Sequence, residues 1–99
     1  MYYAIFSASY SDECLREEFG AIVEMDTIGI EKELIDKISN WNKAYKEIIP
    51  LSSNERKEKS QKINLLDREG IALKQIIEEQ SNEQCKIKYY SEGLLRYLY

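Results

Sequence analysis

Five apolar side chains in the middle of the chain limit its fold more than any other feature. Leu34, Ile38, Trp41, Tyr45 and Ile48 recur at intervals of four, three, four and three residues, and Ile35 and Ile49 widen the row. A helical turn takes about 3.6 residues, so this spacing gathers the apolar side chains on one face. Glu31, Lys32, Glu33, Lys37, Lys43, Lys46 and Glu47 fall largely off that face. Acids stand in the first turn and bases later, which suits the helix dipole. The pattern predicts a helix from about Glu31 to Ile49, stopped by Pro50, whose ring cannot continue it. Such a helix cannot cover its own stripe, so other parts of the chain must pack on it.

The partner elements can be read on either side. Ser52 followed by Glu55 has capping-box spacing, so a second helix is expected to begin near Ser53. Its first turns, Glu55 to Lys62, contain no apolar residue and are expected to project into solvent or fray. From Ile63 a stripe appears through Leu66, Gly70, Leu73 and Ile77, ending before Ser81-Asn82. Gly70 costs about 1 kcal/mol relative to alanine inside a helix; a close approach of another element or a local bend would account for it. Tyr2 to Ala8 reads as a strand, as does the strict alternation of Lys86-Ile87-Lys88-Tyr89. Ser91-Glu92-Gly93 marks a turn, and Leu94 to Tyr99 is either a last strand or a final helical turn. Asp12 to Asp26 fits a short helix or, as the favoured reading, a hairpin of Leu15–Phe19 with Ala21–Met25 turning near Gly20. The expected architecture is α+β: one domain over residues 1–99, with two long antiparallel helices packed on a small sheet formed from the N- and C-terminal strands.

Composition narrows the chemistry. A hydrophobic content of 43% with one proline and four glycines belongs to a folded domain. No apolar run approaches the roughly 20 residues of a membrane span. The opening Met1-Tyr2-Tyr3-Ala4-Ile5-Phe6 does not read as a signal peptide, so the expected compartment is the cytoplasm. There is no histidine, which removes Ser-His and Cys-His nucleophile pairs and imidazole-bound zinc. Cys14 and Cys85 form no CxxC and read as small apolar residues. Glycine-rich phosphate loops and nucleophile elbows are absent from the sequence. Glu17-Glu18, Glu78-Glu79 and Asp67 with Glu69 are the candidate carboxylate pairs; they read as solvated charge. Asp12, Glu13, Glu17 and Glu18 lack the ligand spacing of a calcium loop. No cofactor, metal or small-molecule substrate is expected.

Charge is unevenly spread. Asp12 to Asp36 holds nine acids and two bases, a net charge of −7, whereas Lys37 onward carries +3. Direct nucleic-acid binding is disfavoured by the net sign of −4. A concentrated acidic face would attract a basic partner and speed its association. The eight tyrosines add rings suited to interfaces. Tyr45 and Tyr89 fall on inward positions, but Tyr10, Tyr90, Tyr97 and Tyr99 do not need the core.

Three segments together carry a family resemblance: Trp41-Asn42-Lys43-Ala44-Tyr45, Leu66-Asp67-Arg68-Glu69-Gly70-Ile71-Ala72-Leu73 and Ile87-Lys88-Tyr89-Tyr90. They resemble small bacterial proteins with a W-N-x-x-Y helix, an L-D-x-x-G-x-x-L helix and a terminal V-x-Y strand. The functional class nearest to these is the immunity proteins of contact-dependent growth-inhibition and related polymorphic-toxin systems. The resemblance covers about the last two thirds of the chain and transfers no catalytic motif. It implies a non-enzymatic antitoxin that binds a cognate toxin protein and covers its active site. A nuclease cleft must hold phosphates and is therefore basic, so an acidic surface could occupy it. On that reading Asp12, Glu13, Glu17, Glu18, Glu24 and Asp26 are the expected contacts, with Tyr10 as an aromatic anchor. The alternative is a small regulatory or adaptor module, homodimeric or within a larger assembly. An enzyme using carboxylates or Tyr/Lys ranks third.

Overall fold

The computed structural model describes residues 2–99; Met1, where the reading of the N-terminus begins, lies outside them. Strand β1 (Tyr2–Phe6) is followed by a short edge strand β2 (Leu15–Glu17) and a 3-10 turn, Met25–Ile28. Helices α1 (Lys32–Lys46), α2 (Ser53–Glu58) and α3 (Ser60–Gln80) come next, then β3 (Cys85–Ser91) and β4 (Arg96–Tyr97). The strands form one mixed sheet in the order β2-β1-β3-β4. β1 and β3 run parallel at its centre, with Ala4 opposite Ile87 and Phe6 opposite Tyr89. The outer pairs are antiparallel. The fold is α+β.

The central stripe becomes α1, with Leu34, Ile38, Trp41 and Tyr45 buried. Its regular hydrogen bonding stops at Lys46, and a turn carries Ile48 into the core before Pro50. The second expected helix is interrupted. The capping box forms, since Ser52 accepts from the Glu55 N–H while the Glu55 carboxylate accepts from the Ser52 N–H. Yet α2 buries no residue and ends at Lys59 (φ −100°, ψ 17°), where α3 begins. Arg56 explains the break. Its guanidinium donates to the carbonyls of Leu51 (2.9 Å), Ile49 (2.6 Å), Gly93 (3.2 Å) and Glu92. α2 is thus tied to the β3–β4 turn, whereas α3 follows its own stripe from Ile63 onward.

The three resembling segments meet in one buried cluster. Phe6 stacks on Trp41 with centroids 5.0 Å apart, and Tyr45 meets the indole edge-on at 5.5 Å. The Trp41 Nε1–H donates to the Leu66 carbonyl at 2.8 Å. Asp67, expected to be solvated, is instead 3% exposed. Its Oδ1 accepts from the hydroxyls of Tyr45 (2.8 Å) and Tyr89 (2.6 Å), and its Oδ2 from Ser91 (2.7 Å). A buried carboxylate is tolerable only with such a set of donors. Burial, reinforced by this carboxylate, pushes the phenols of Tyr45 and Tyr89 above their usual range. Gly70 is explained by a close approach: a β-carbon there would stand 2.5 Å from the Tyr89 ring.

Candidate functional site

The acidic segment folds mostly as loop, which exposes its charges. The favoured hairpin exists in reduced form. β2 pairs with β1, and the return arm adds one bridge, Arg16 to Ile22, with Val23 N–H donating to the Leu15 carbonyl at 2.9 Å. Beyond it the 3-10 turn closes on Gly29, whose positive φ of 86° a β-carbon would strain. Asn82 N–H donates to the Ile28 carbonyl at 2.7 Å and so fixes this turn beside the end of α3.

Between the hairpin, the 3-10 turn and α1 lies an open groove of about 410 Å³. Its floor is apolar, built from Ile22, Val23, Met25, Ile35 and Ile38. Asp12, Glu13, Glu24 and Asp26 stand on its rim, all exposed. Four of the expected contact residues are therefore brought together. Glu17 adjoins them across Ile22 and Val23, on a neighbouring hollow that shares Glu24. Tyr10 is exposed and lines a second neighbouring hollow, which shares Glu13 and Cys14 with the groove. Glu18 is committed elsewhere: its carboxylate meets the Lys88 ammonium at 2.7 Å, which in turn lies 5.9 Å from the Tyr97 ring centre. That pairing raises the Lys88 pKa. The expected single surface thus divides into a groove, two hollows adjoining it that carry Glu17 and Tyr10, and Glu18, which is held apart by Lys88.

Asp12 differs from the other rim acids. It adopts a positive φ of 64°, a conformation that aspartate accepts more readily than most residues. Lys46 at 2.9 Å and then the Asn42 amide at 2.7 Å hold its carboxyl below the usual carboxylate range. Asn42 also donates to the Ser9 carbonyl (2.8 Å) and accepts from the Ser9 N–H (2.9 Å). Asp12 is thus a fastening of the loop. Among the described residues Glu13, Glu24 and Asp26 have no ion-pair partner. Their charge remains available to a partner.

Cys14 closes the inner end of the groove, buried, with its thiol pushed up to about 12 mainly by that burial. It and Cys85 are both free thiols, and Cys85 is only half buried. Among the described residues no group of three or more metal-ligating side chains could hold an ion, and no helix is long and apolar enough to cross a membrane.

Two features escaped the sequence reading. Asn42, legible in the sequence only as part of the W-N pair, is the residue that holds the Ser9–Asp12 loop. Phe19, which the favoured hairpin reading puts in its first strand, projects from the hairpin tip. The molecule is an α+β domain with an acid-rimmed apolar groove beside its edge strand. A scan against protein-family models, a search of curated proteins and a search of solved structures each found no match to the chain.

Proposed function

We propose that this chain is an immunity protein that binds a cognate toxin domain, a nuclease by preference, and neutralises it by covering the active site. The observation that carries the reading is the groove: three exposed acids around an apolar floor, none with an ion-pair partner among the described residues. Basic clefts that hold phosphates complement such a rim electrostatically. The apolar floor adds a surface that simple charge solvation would not need. The reading assigns the chain no catalytic step, cofactor, membrane or direct nucleic-acid contact, and places its action in the cytoplasm. The order of helix contacts supports the long helices running in opposite directions, since Glu31 meets Gln80 and Glu47 meets Lys62.

The test uses the C-terminal toxin domain of a large polymorphic-toxin protein encoded beside this chain's gene, and the lack of any such neighbouring gene would itself count against the reading. Glu13→Lys with Asp26→Lys should slow association at least about tenfold at low salt, and the difference should shrink as salt rises. Stability should change by no more than about 0.5 kcal/mol, because both side chains are exposed. Glu58→Lys on α2 with Glu69→Lys on α3, both exposed and outside the α2 capping box, is the control and should matter less. Binding that survives the first pair and is lost with the second would place the interface on α2 and α3 and overturn the groove.

The adaptor reading draws on a different surface. Strand alternation puts Lys86, Lys88 and Tyr90 on the sheet face away from the helices, with Tyr3, Arg16 and Tyr97 in neighbouring register. That open face is basic and aromatic. A chain that ignores the toxin domain but self-associates through this face would favour the adaptor.

A further inference from the structure

Phe19 is 96% exposed at the tip of the β2 hairpin, more than any other large apolar side chain described. A ring so placed gains nothing from the fold, since burial is what stabilises it. Its turn is nevertheless braced. Glu17 N–H donates to the Ala21 carbonyl at 2.8 Å, Gly20 N–H to the Glu17 carbonyl at 3.2 Å, and Glu18 N–H to the Tyr3 carbonyl of β1 at 3.0 Å. The Glu18 carboxylate is held by Lys88 on β3. The tip is therefore anchored to both central strands, and little backbone freedom remains to be lost on binding. Ile22, 44% exposed, stands three residues on in the return arm, and the exposed Tyr3 is tied to the tip through its carbonyl's bond with the Glu18 N–H. Glu17, two residues before the ring, lines one hollow with Ile22 and Glu24, and among the described residues neither acid has an ion-pair partner.

We propose that Phe19 is the anchor of the partner interface, inserting into an apolar socket on a protein whose rim carries lysine and arginine. An aromatic side chain presented from a rigid element and ringed by polar groups is the form that binding hot spots take. The flanking acids set the sign of the socket's rim. They also disfavour a lipid surface, because anionic headgroups would repel Glu17 and Glu24. The proposal rests on the toxin-neutralising reading for its partner, and the hairpin supplies the braced, exposed ring that the partner would receive.

Binding is measured against the same purified C-terminal toxin domain, at low and high salt. Phe19→Ala should weaken affinity at least about 30-fold, chiefly through faster dissociation and equally at both salt concentrations. Phe19→Leu should recover much of the loss. Glu17→Gln with Glu24→Gln should instead slow association, and only at low salt. The unfolding midpoint of free Phe19→Ala should match that of the unsubstituted chain. If the chain binds and Phe19→Ala stays within about threefold, the anchor is overturned and the toxin reading stands. If the chain does not bind the domain at all, the toxin reading fails and the anchor falls with it. Phe19-dependent binding to phosphatidylcholine vesicles would assign the ring to a membrane and equally overturn the socket.

Discussion

Gly70 is a position where two opposing effects can be weighed by magnitude. Replacing it with alanine would gain about 1 kcal/mol of helix propensity. The new β-carbon would stand 2.5 Å from the Tyr89 ring and 2.6 Å from its hydroxyl. That ring cannot swing away, because it is fully buried and its hydroxyl is held by Asp67 at 2.6 Å. Overpacking of this kind costs about 1–3 kcal/mol. Gly70→Ala should therefore destabilise the fold by up to about 2 kcal/mol in urea unfolding, and any stabilisation would show that the ring has room to move. The stripe made Gly70 legible as a packed position, just as it made Trp41, Tyr45 and Tyr89 legible as core. What spacing could not reveal is how those residues are satisfied. The Asp67 bonds to Tyr45 and Ser91 span 22 and 24 residues, and nothing local distinguishes a carboxylate that will meet three hydroxyls from one bound for solvent.

α2 shows how an element can depend on contacts outside itself. Six residues are too few for an isolated helix to hold, and this one buries none of them. Its capping box contributes about 1 kcal/mol. The rest comes from Arg56, which links the α1–α2 loop to the β3–β4 turn through four carbonyls. Arg56→Ala should therefore speed amide exchange over 53–58 and 92–94 while α3 stays protected, with a loss of about 1–2 kcal/mol in unfolding free energy. Unchanged exchange in the 92–94 turn would show that the guanidinium does not link the two segments. The long helices and the two central strands were readable because their periods of 3.6 and 2 are unambiguous. The segment from Asp12 to Ile28 was not. Its strand has only three residues, its return arm makes one bridge, and its 3-10 turn is fixed by Asn82, more than fifty positions away. The candidate site inherits that limit. Its charges were visible as a run, but the groove that selects Glu13, Glu24 and Asp26 from them is a tertiary product of the hairpin, the turn and α1.

The whole molecule places three neutral acids in its interior, and this gives its stability a distinct alkaline limb. Burial is the leading cause for each: the Cys14 thiol is pushed up to about 12, and the phenols of Tyr45 and Tyr89 stand above their usual range. In the unfolded chain these groups return to about 8.5 for the thiol and about 10 for the phenols. Each folded pKa is thus raised, and each group is neutral in the native state. Their contribution is fully present below the unfolded values. It is lost as pH rises toward the folded ones, because the unfolded chain releases protons that the folded chain retains. Each group then costs up to about 1.4 kcal/mol per pH unit, beginning near pH 9 for Cys14 and near pH 10 for the tyrosines. A domain of this size has only about 5–15 kcal/mol in all, so the urea midpoint should fall steeply between about pH 9 and 11. Tyr89→Phe removes one titrating group. It also strips Asp67 of a donor, which should cost about 1–3 kcal/mol at neutral pH. The two effects separate by slope: the variant should start lower and decline more gently above about pH 10. Parallel alkaline limbs in the two proteins would show that the Tyr89 phenol ionises in the folded state as readily as in the unfolded one, and that its bond to Asp67 does not hold the proton in place.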